Sequence, residues 1–261
     1  MALGYDAGPM RIKFGGFAAF LVLSSLLAHD AVASGKVLIL DYHSFLGTTS
    51  SLDWKLEDFG AQLDKMRSLG YKLVSLSDAM ADNIEGENNI AITIDDGNHS
   101  IWQAAEDVLQ PRAVPTELFI YPAVIGHESH FLTREQLVAL AGEGFGIGAH
   151  GYHHMPMSAI AWQRDRKTVV AEATKPADLL KFILGARPSF FAYPYGVVGA
   201  EAEDLVKKNG YDWAFLASDK FVFVDPADPA LDHWAVPRTI VYHWNRSALF
   251  RFLEKKAPAK G

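Results

Sequence analysis

Short apolar runs alternate with amphipathic stretches along the chain, and this alternation constrains the fold more than any other feature. The apolar runs have the length of strands, and the stretches between them have helical spacing. The predicted strands are 37–40, 72–76, 89–94, 116–121, 145–149, 190–193, 213–216 and 238–242. The predicted helices are 54–69, 100–110, 133–141, 160–184 and 200–209, with a break expected at Pro176. This repeat predicts an α/β fold with a mainly parallel sheet covered by helices.

The number of strand–helix units favours a barrel or partial barrel over an open doubly wound sheet. The sequence contains no internal repeat, no low-complexity linker and no glycine-rich phosphate-binding fingerprint, so a single domain is expected. In parallel barrels the catalytic residues lie where strands end and loops begin. Candidate functional residues are therefore sought at the carboxyl ends of the predicted strands.

The N-terminal segment has the pattern of a secretory signal. A short basic stretch at residues 10–13 precedes an apolar run over 14–27, and Ala31-Val32-Ala33 fits a small-x-small cleavage site. The apolar run is too short for a comfortable transmembrane helix. We therefore expect a signal peptide at residues 1–33, a single folded domain at 34–261, and an exported protein that is periplasmic or secreted. An uncleaved anchor or a buried N-terminal helix is the alternative.

Composition limits the possible chemistry. The chain has no cysteine, so any metal must be bound by His, Asp or Glu. The net charge is −7 and no long basic run is present, so nothing indicates binding to nucleic acid or anionic lipid. No segment after the signal is predicted to span a membrane.

Two adjacent carboxylates, Asp95 and Asp96, end the predicted strand 89–94. Adjacent carboxylates repel each other unless a cation or a proton lies between them. They could also belong to an ordinary turn, because Asp-Gly is a common turn pair. Alone, this pair does not distinguish a functional site from a turn.

Two histidines, His150 and His154, follow the predicted strand 145–149. Imidazole is the commonest nitrogen ligand for zinc, and two His with one carboxylate leave coordination positions open, as in catalytic metal sites. The alternative is a pair of surface histidines, with His99 and His153 as nearby competitors. The combination with the carboxylate pair is more specific than either part, because both lie at equivalent ends of different strands.

These residues resemble the motifs of the polysaccharide deacetylase family, also called the NodB-homology or carbohydrate esterase family 4 domain. Residues 93–97 (T-I-D-D-G) match the family's T-F-D-D-G motif, and residues 150–154 (H-G-Y-H-H) match its H-[ST]-x-x-H motif. Residues 191–196 (F-A-Y-P-Y-G) are similar to its F-R-P-P-Y-G motif, and residues 210–213 to its fourth motif. The resemblance covers roughly residues 36–245.

The resemblance implies a distorted parallel (β/α)7-type barrel and a role for each matching position. Asp96, His150 and His154 would bind one divalent metal ion, with zinc expected and cobalt or nickel able to serve. Asp95 would be the general base that takes a proton from the attacking water.

The sequence departs from the family pattern at the position of the arginine that orients the base, where Ala192 stands. Arg187 or Arg238 could replace that arginine, and the sequence does not decide between them. Gly151 and Met155 replace a hydroxyl residue and a proline of the second motif.

The general acid has two candidates. His43, in an N-terminal Tyr-His at a strand end, resembles the branch of the family that acts on poly-N-acetylglucosamine, where the motifs are permuted. His243 loosely matches the acid position of the other branch. We prefer His43, and we expect a carboxylate beside it, with Asp41 or Asp232 as candidates.

Three aromatic residues are expected near the substrate. The backbone N–H of Tyr195 would help to stabilise the oxyanion, and the rings of Tyr193, Tyr195 and Trp213 would stack on sugars. Ordinary core packing is the alternative for each ring.

The sequence thus predicts a metal-dependent hydrolase that removes N-acetyl groups from an acetylated polysaccharide or oligosaccharide of the N-acetylglucosamine type. A non-catalytic glycan-binding relative is one alternative, supported by Ala192. A deacetylase acting on O-acetyl esters is the other.

Overall fold

Nine strands form one sheet in the described part of the chain. The strands are β1 (Val37–Tyr42), β2 (Lys72–Val74), β3 (Asn89–Asp96), β4 (Thr116–Ile120), β5 (Gly146–Ala149), β6 (Phe190–Ala192), β7 (Trp213–Phe215), β8 (Phe223–Val224) and β9 (Thr239–Ile240). The computed structural model describes Met1 and residues 35–47, 50–127 and 129–258. The expected signal peptide therefore lies, apart from Met1, outside the described residues.

The helices follow the strands in the expected alternation. They are α1 (Leu56–Ser68), α2 (Leu76–Met80), α3 (Ser100–Ala104) continued by a π-helical turn (Ala105–Leu109), α4 (Arg134–Gly142), α5 (Ala159–Arg164), α6 (Arg166–Leu184), α7 (Ala200–Lys208) and α8 (Arg246–Lys256). A short 3₁₀ helix covers Pro194–Gly196. Among the residues that the structure describes, none of the helices combines the length and the apolar composition that spanning a membrane requires.

The sheet is mainly parallel and curls into a barrel. The strand order is β7-β6-β5-β4-β3-β1-β8, with β2 on β3 and β9 on β1. Segment 236–240 pairs with β7 through Phe215 and Val236, and with β1 through Leu40 and Thr239. This segment links the first and last parallel strands, which confirms the predicted (β/α)7-type barrel.

The two faces of the barrel strands pack against different clusters. On β3, Ile90, Ile92 and Ile94 belong to the large cluster under the helices. Ala91 belongs to a smaller cluster inside the barrel, together with Val37, Ile39, Phe119 and Phe215. Strand side chains alternate between faces, so Asp95, four residues after Ala91, is placed on the interior face at the strand's carboxyl end.

Two glycines of β5 make room for large interior side chains of β4. The register pairs Glu117 with Gly146 and Phe119 with Gly148. A Cβ at Gly146 would lie 1.8 Å from Glu117 Oε2, and one at Gly148 would lie 2.5 Å from the Phe119 ring. Side chains of β4 therefore fill the part of the barrel interior that side chains at these two positions of β5 would otherwise occupy.

The predicted break at Pro176 is wrong. Helix α6 continues through Pro176, and the chain instead breaks at Asp165 (φ −149°, ψ 75°) between α5 and α6. The Asp165 side chain accepts a hydrogen bond from the Thr168 N–H (3.1 Å) and so caps α6, which is the usual role of aspartate at a helix start. Helix α2 and helix α8 were not among the predicted helices.

Candidate active site

The polar residues singled out by the sequence gather at the carboxyl end of the barrel. Asp95 and Asp96 end β3, and His150 follows β5 directly. Asp41 lies in β1, and Arg238 directly precedes β9. Because parallel strands end at the same rim, residues far apart in sequence meet there.

Asp96, His150 and His154 offer three ligand atoms that all lie within 4.8 Å of one another. Asp96 Oδ1 is 3.6 Å from His150 Nε2 and 3.4 Å from His154 Nε2. His150 is 2% exposed, whereas Asp96 and His154 are partly open to solvent. One carboxylate and two imidazoles at a solvent-accessible edge could therefore hold a metal ion, with coordination positions left open.

The tautomer of His150 is fixed by the backbone. Its Nδ1 lies 2.9 Å from the carbonyl oxygen of Ala192, which can only accept, so Nδ1 carries the proton and Nε2 keeps its lone pair. Burial lowers the pKa of His150 to about 4, so the ring is neutral at physiological pH. A neutral imidazole held by its other nitrogen is the usual form of a metal-binding histidine.

Three non-glycine residues of the site have left-handed backbone conformations: Asp96 (φ 74°), His154 (φ 60°) and Tyr195 (φ 61°). Such conformations are costly and cluster at functional sites. In a regular strand, neighbouring side chains point to opposite faces. The turn at Asp96 accounts for the convergence of both carboxylates on His150 Nε2, with Asp95 Oδ2 at 3.5 Å.

The residues fit a divalent ion. In the described structure Asp96 Oδ1 is buried without a hydrogen-bond partner, although two imidazole nitrogens lie nearby. A buried carboxylate oxygen without a donor costs free energy unless a cation compensates it. An oxygen and two neutral nitrogens suit zinc and neighbouring transition metals.

Asp95 is held by Arg238 and not by Arg187. Arg238 Nη1 and Nη2 donate to Asp95 Oδ1 and Oδ2, each at 2.7 Å, and both side chains are almost fully buried. Arg238 also donates to the Thr93 hydroxyl and to the Leu216 carbonyl. Arg187 is partly exposed and bonds instead to Asp178 and Asn209. Of the two arginines that the sequence left open, Arg238 is therefore the one that contacts Asp95.

The ion pair sets the charge state of Asp95. Burial alone would raise the pKa of this carboxyl, but the Arg238 guanidinium, with His150 beside it, outweighs burial and holds the pKa well below its ordinary value. Asp95 therefore stays ionised and available as a proton acceptor.

His43 pairs with Asp41. His43 Nδ1 lies 3.7 Å from Asp41 Oδ1, too far for a hydrogen bond, and in the described part of the chain neither atom has a hydrogen-bond partner. Burial alone would lower the pKa of His43, but the carboxylates of Asp41, Asp96 and Asp95 outweigh it and raise the pKa. Burial also raises the pKa of Asp41, against the effect of Arg238. The pair thus retains a proton to higher pH than either isolated group.

Asp41, His43 and Asp95 also lie close enough to share a metal ion. Arg238 already supplies a cation there, because Nη2 is 2.7 Å from Asp95 and 3.6 Å from Asp41. A second ion would meet this guanidinium, so the group is better suited to proton transfer than to metal binding.

The alternative acid His243 and its alternative partner Asp232 each have other contacts. The His243 ring stacks on Trp54 at 4.3 Å between centroids, and its Nε2 contacts the Asp53 carbonyl oxygen. Asp232 is exposed and accepts from the Trp234 N–H at 2.9 Å. The geometry therefore favours His43 and Asp41 for the acid position.

Only one of the three expected aromatic rings is open at the site. Tyr195 is 59% exposed, and its ring lies 4.6 Å from the His154 ring. Tyr193 is fully buried and packs against Phe191, so its ring is not accessible to a sugar. Trp213 is the first residue of β7, at the opposite end of the strand from the site, and it stacks on His233.

Comparison with known proteins identifies the family of the chain. Residues 82–214, just over half of the chain, match the polysaccharide deacetylase family. YxkH of Bacillus subtilis (strain 168) is 27% identical over 180 residues, which cover 67% of this chain and 62% of YxkH. The poly-β-1,6-N-acetyl-D-glucosamine N-deacetylase of Staphylococcus epidermidis is 23% identical over 197 residues, covering 71% of this chain and 66% of that protein. The chain thus spans slightly less than two thirds of these relatives.

Among solved structures, IcaB from Ammonifex degensii superposes with a TM-score of 0.72 at 23% identity, covering 84% of this chain and 97% of IcaB. The Streptococcus pyogenes deacetylase PplD, solved in complex with acetate, gives 0.70 at 17% identity, covering 84% of this chain and 98% of PplD. These likenesses establish the fold, and the match over residues 82–214 establishes the family. The chain belongs to the polysaccharide deacetylase family.

Proposed function

We propose that this chain is a metal-dependent hydrolase that releases acetate from N-acetylglucosamine units of a polysaccharide. One observation carries the proposal: an open Asp-His-His group lies directly beside a buried, arginine-held carboxylate, with Asp95 Oδ2 3.5 Å from His150 Nε2. This is a possible ligand set with a proton acceptor at its edge, and hydrolysis of an acetamide needs both.

Asp96, His150 and His154 are the proposed metal ligands, with zinc as the expected ion and cobalt or nickel able to replace it. When bound, such an ion supplies Lewis acidity to the acyl oxygen and lowers the pKa of water. The neutral state of His150 and the partnerless Asp96 Oδ1 support this assignment.

Asp95 is the proposed general base. It takes a proton from the water that attacks the acetyl carbonyl. Its two hydrogen bonds to Arg238 fix the orientation of the carboxylate and keep it ionised. Arg238 is therefore the proposed base-orienting residue.

His43 is the proposed general acid. It donates a proton to the sugar nitrogen as the carbon–nitrogen bond breaks, so that the amine leaves in neutral form. Asp41, 3.7 Å away, favours the protonated imidazole that this step requires. The products are acetate and a free amine on the sugar.

Tyr195 is proposed to contact the substrate. Its ring lies 4.6 Å from the His154 ring and is exposed, so it can pack against a sugar. Its backbone is left-handed, and its N–H is proposed to stabilise negative charge on the acyl oxygen. Tyr193 and Trp213 are not proposed as sugar contacts, because of their positions.

The alternative of a non-catalytic relative rested on Ala192. Since Arg238 bonds to Asp95 through two hydrogen bonds, the missing arginine no longer argues against catalysis. The name of the Staphylococcus epidermidis relative supports an N-acetylglucosamine polymer as the substrate class. Residues 1–33 are proposed to be an export signal, which would bring the catalytic domain to the periplasm or the exterior, where such polymers occur.

The test is acetate release by the purified chain from β-1,6-linked N-acetylglucosamine oligomers and from O-acetylated sugars, with and without chelator. Release from the amide substrate that stops with chelator and returns with zinc or cobalt supports the proposal. Release only from the ester would favour the O-deacetylase alternative. Binding of the oligomer without any release would favour a glycan-binding role.

A further inference from the structure

The loop after β5, residues 150–155, carries both proposed histidine ligands but has no regular secondary structure. Buried backbone N–H groups need acceptors, and a loop must obtain them from outside a helix or sheet. The His150 N–H donates to the Ile120 carbonyl at 2.9 Å. The next residues of the loop obtain their acceptor from one side chain.

That side chain is the carboxylate of Glu172. Its Oε2 accepts from the backbone N–H groups of Tyr152 (2.8 Å), His153 (3.1 Å) and Met155 (3.2 Å), and its Oε1 accepts from His153 (3.0 Å). Glu172 is 0% exposed. Hydrogen bonds from N–H groups to an ionised acceptor are stronger than those between neutral groups. One buried carboxylate thus organises the turn between the two histidines.

The position of Glu172 in α6 is unusual for its chemistry. The buried face of α6 contains Val169, Glu172, Ala173, Pro176, Ala177 and Leu180. Glutamate is almost never fully buried unless it is paired. A glutamate within this apolar stripe therefore indicates a specific partner, and the partner is the backbone of the 150–155 loop.

Gly151 completes the arrangement. Its φ is 72°, and a Cβ there would lie 2.4 Å from Glu172 Oε2. Any larger residue at position 151 would displace the carboxylate. The glycine that departs from the family's second motif is therefore matched to the glutamate.

We propose that Glu172 is a positioning residue that fixes the 150–155 loop so that His150 and His154 face the same metal ion as Asp96. This inference rests on the metal site of the proposed function. Glu172 does not touch the ion or the substrate; it acts through the backbone between the two ligands.

The test measures zinc affinity of the metal-free protein by competition with a chromophoric chelator, together with the visible spectrum of the cobalt form. Glu172→Gln keeps the size of the side chain and one oxygen acceptor, but it removes the charge and puts an NH₂ group, which cannot accept, in place of the second oxygen. Loss of a group that orients metal ligands commonly costs about 10- to 100-fold in metal affinity, and we expect a loss in that range and an altered cobalt spectrum.

Glu117→Gln is the matched control. Glu117 is also a buried glutamate, but it lies in the barrel interior against Gly146, and burial raises its pKa to about 8. It is largely protonated at neutral pH, so glutamine is a close substitute. Zinc affinity of this variant should equal that of the wild type.

Gly151→Ala provides an independent perturbation, because the added Cβ displaces the same carboxylate. A double-mutant cycle combines Gly151→Ala with Glu172→Gln. The backbone strain of the alanine is the same with Glu172 or Gln at position 172, so it cancels in the cycle. The combined loss of zinc affinity should be smaller than the sum of the two single losses.

Wild-type zinc affinity in Glu172→Gln, or additive effects in the cycle, would overturn the inference. If Glu172→Gln does not fold, unchanged affinity in Gly151→Ala would overturn it. Failure of the wild type itself to bind zinc would overturn the proposed metal site and this inference with it. The wild-type titration therefore separates a failure of the metal site from a failure of the role of Glu172.

Discussion

At the scale of the residue, two neighbouring aspartates have different partners. Asp95 is bound by Arg238 through two hydrogen bonds, whereas Asp96 lies against two imidazole nitrogens. The left-handed φ at Asp96 accounts for their convergence on His150 despite strand alternation. This separation of partners underlies the proposed division between a base and a metal ligand.

Asp41→Asn should shift the pH dependence of acetate release. The general acid must be protonated, so kcat/KM falls as pH rises through the pKa of His43. Asp41 is the main group that raises this pKa, so its neutralisation should move the alkaline limb of the profile to lower pH. A kcat/KM profile on an N-acetylglucosamine oligomer measures the shift.

Asp232→Asn is the control for that shift, because Asp232 is exposed and bonded to the Trp234 N–H. It should leave the alkaline limb unchanged. An Asp41→Asn profile identical to the wild type would exclude the proposed pairing of Asp41 with His43.

Arg238→Lys should lower kcat/KM on the order of 10²-fold or more while zinc still binds. Lysine keeps the positive charge but loses the planar two-point contact that orients Asp95. The pKa of Asp95 should rise, which moves the acid limb of the profile to higher pH. Arg187→Lys, at the partly exposed alternative, should have wild-type kinetics. Equal activity of the two variants would contradict the role of Arg238.

The sequence singled out residues that lie together in the structure, but it did not predict all of their contacts. Asp95, Asp96, His150 and His154 were predicted because their motifs are local and end predicted strands. The choice between Arg187 and Arg238 was left open, because Arg238 is 143 residues from Asp95 and only the closed barrel brings them together. Glu172 was not predicted, although a glutamate in an apolar helical stripe was a readable signal.

At the scale of the element, the interior of the barrel depends on small residues in β5. Gly148→Ala should destabilise the protein by about 1–3 kcal/mol, because the new Cβ would lie 2.5 Å from the Phe119 ring and the interior has little space to adjust. Urea unfolding of the purified protein measures the change.

Gly142→Ala is the matched control, since no heavy atom lies within 4 Å of its Cβ position at the end of α4. Alanine there should be neutral or stabilising by up to about 1 kcal/mol. If both alanine variants had the same stability, the described packing across β5 would be wrong.

The sequence predicted every strand except β8 (Phe223–Val224), because apolar runs of strand length are clear when helices separate them, whereas β8 has only two residues. Helix ends were less predictable. Asp165 interrupts the 160–184 stretch through its own capping bond, whereas Pro176 is accommodated within α6. Helix α8 lacked a clear sequence signal, although Leu249, Phe250 and Leu253 are buried.

At the scale of the whole molecule, barrel closure brings Arg238 to the proposed base Asp95. Segment 236–240 pairs with both β7 and β1, and Arg238 within it reaches Thr93, Asp95 and Asp41. A variant in which segment 236–240 no longer paired with β1 and β7 would separate Asp95 from Arg238. The proposed metal ligands, on β3 and in the 150–155 loop, would stay together. Metal binding and catalysis are therefore expected to be separable properties of this fold.

The most direct test of the central claim is a zinc titration of metal-free wild type and Asp95→Asn, with bound zinc and acetate release from an N-acetylglucosamine oligomer measured in parallel. The wild type should gain activity in proportion to zinc, up to one ion per chain. Asp95→Asn should bind zinc similarly and release at least about 10²-fold less acetate. Full activity of the metal-free wild type, or undiminished activity of zinc-loaded Asp95→Asn, would contradict the proposed mechanism.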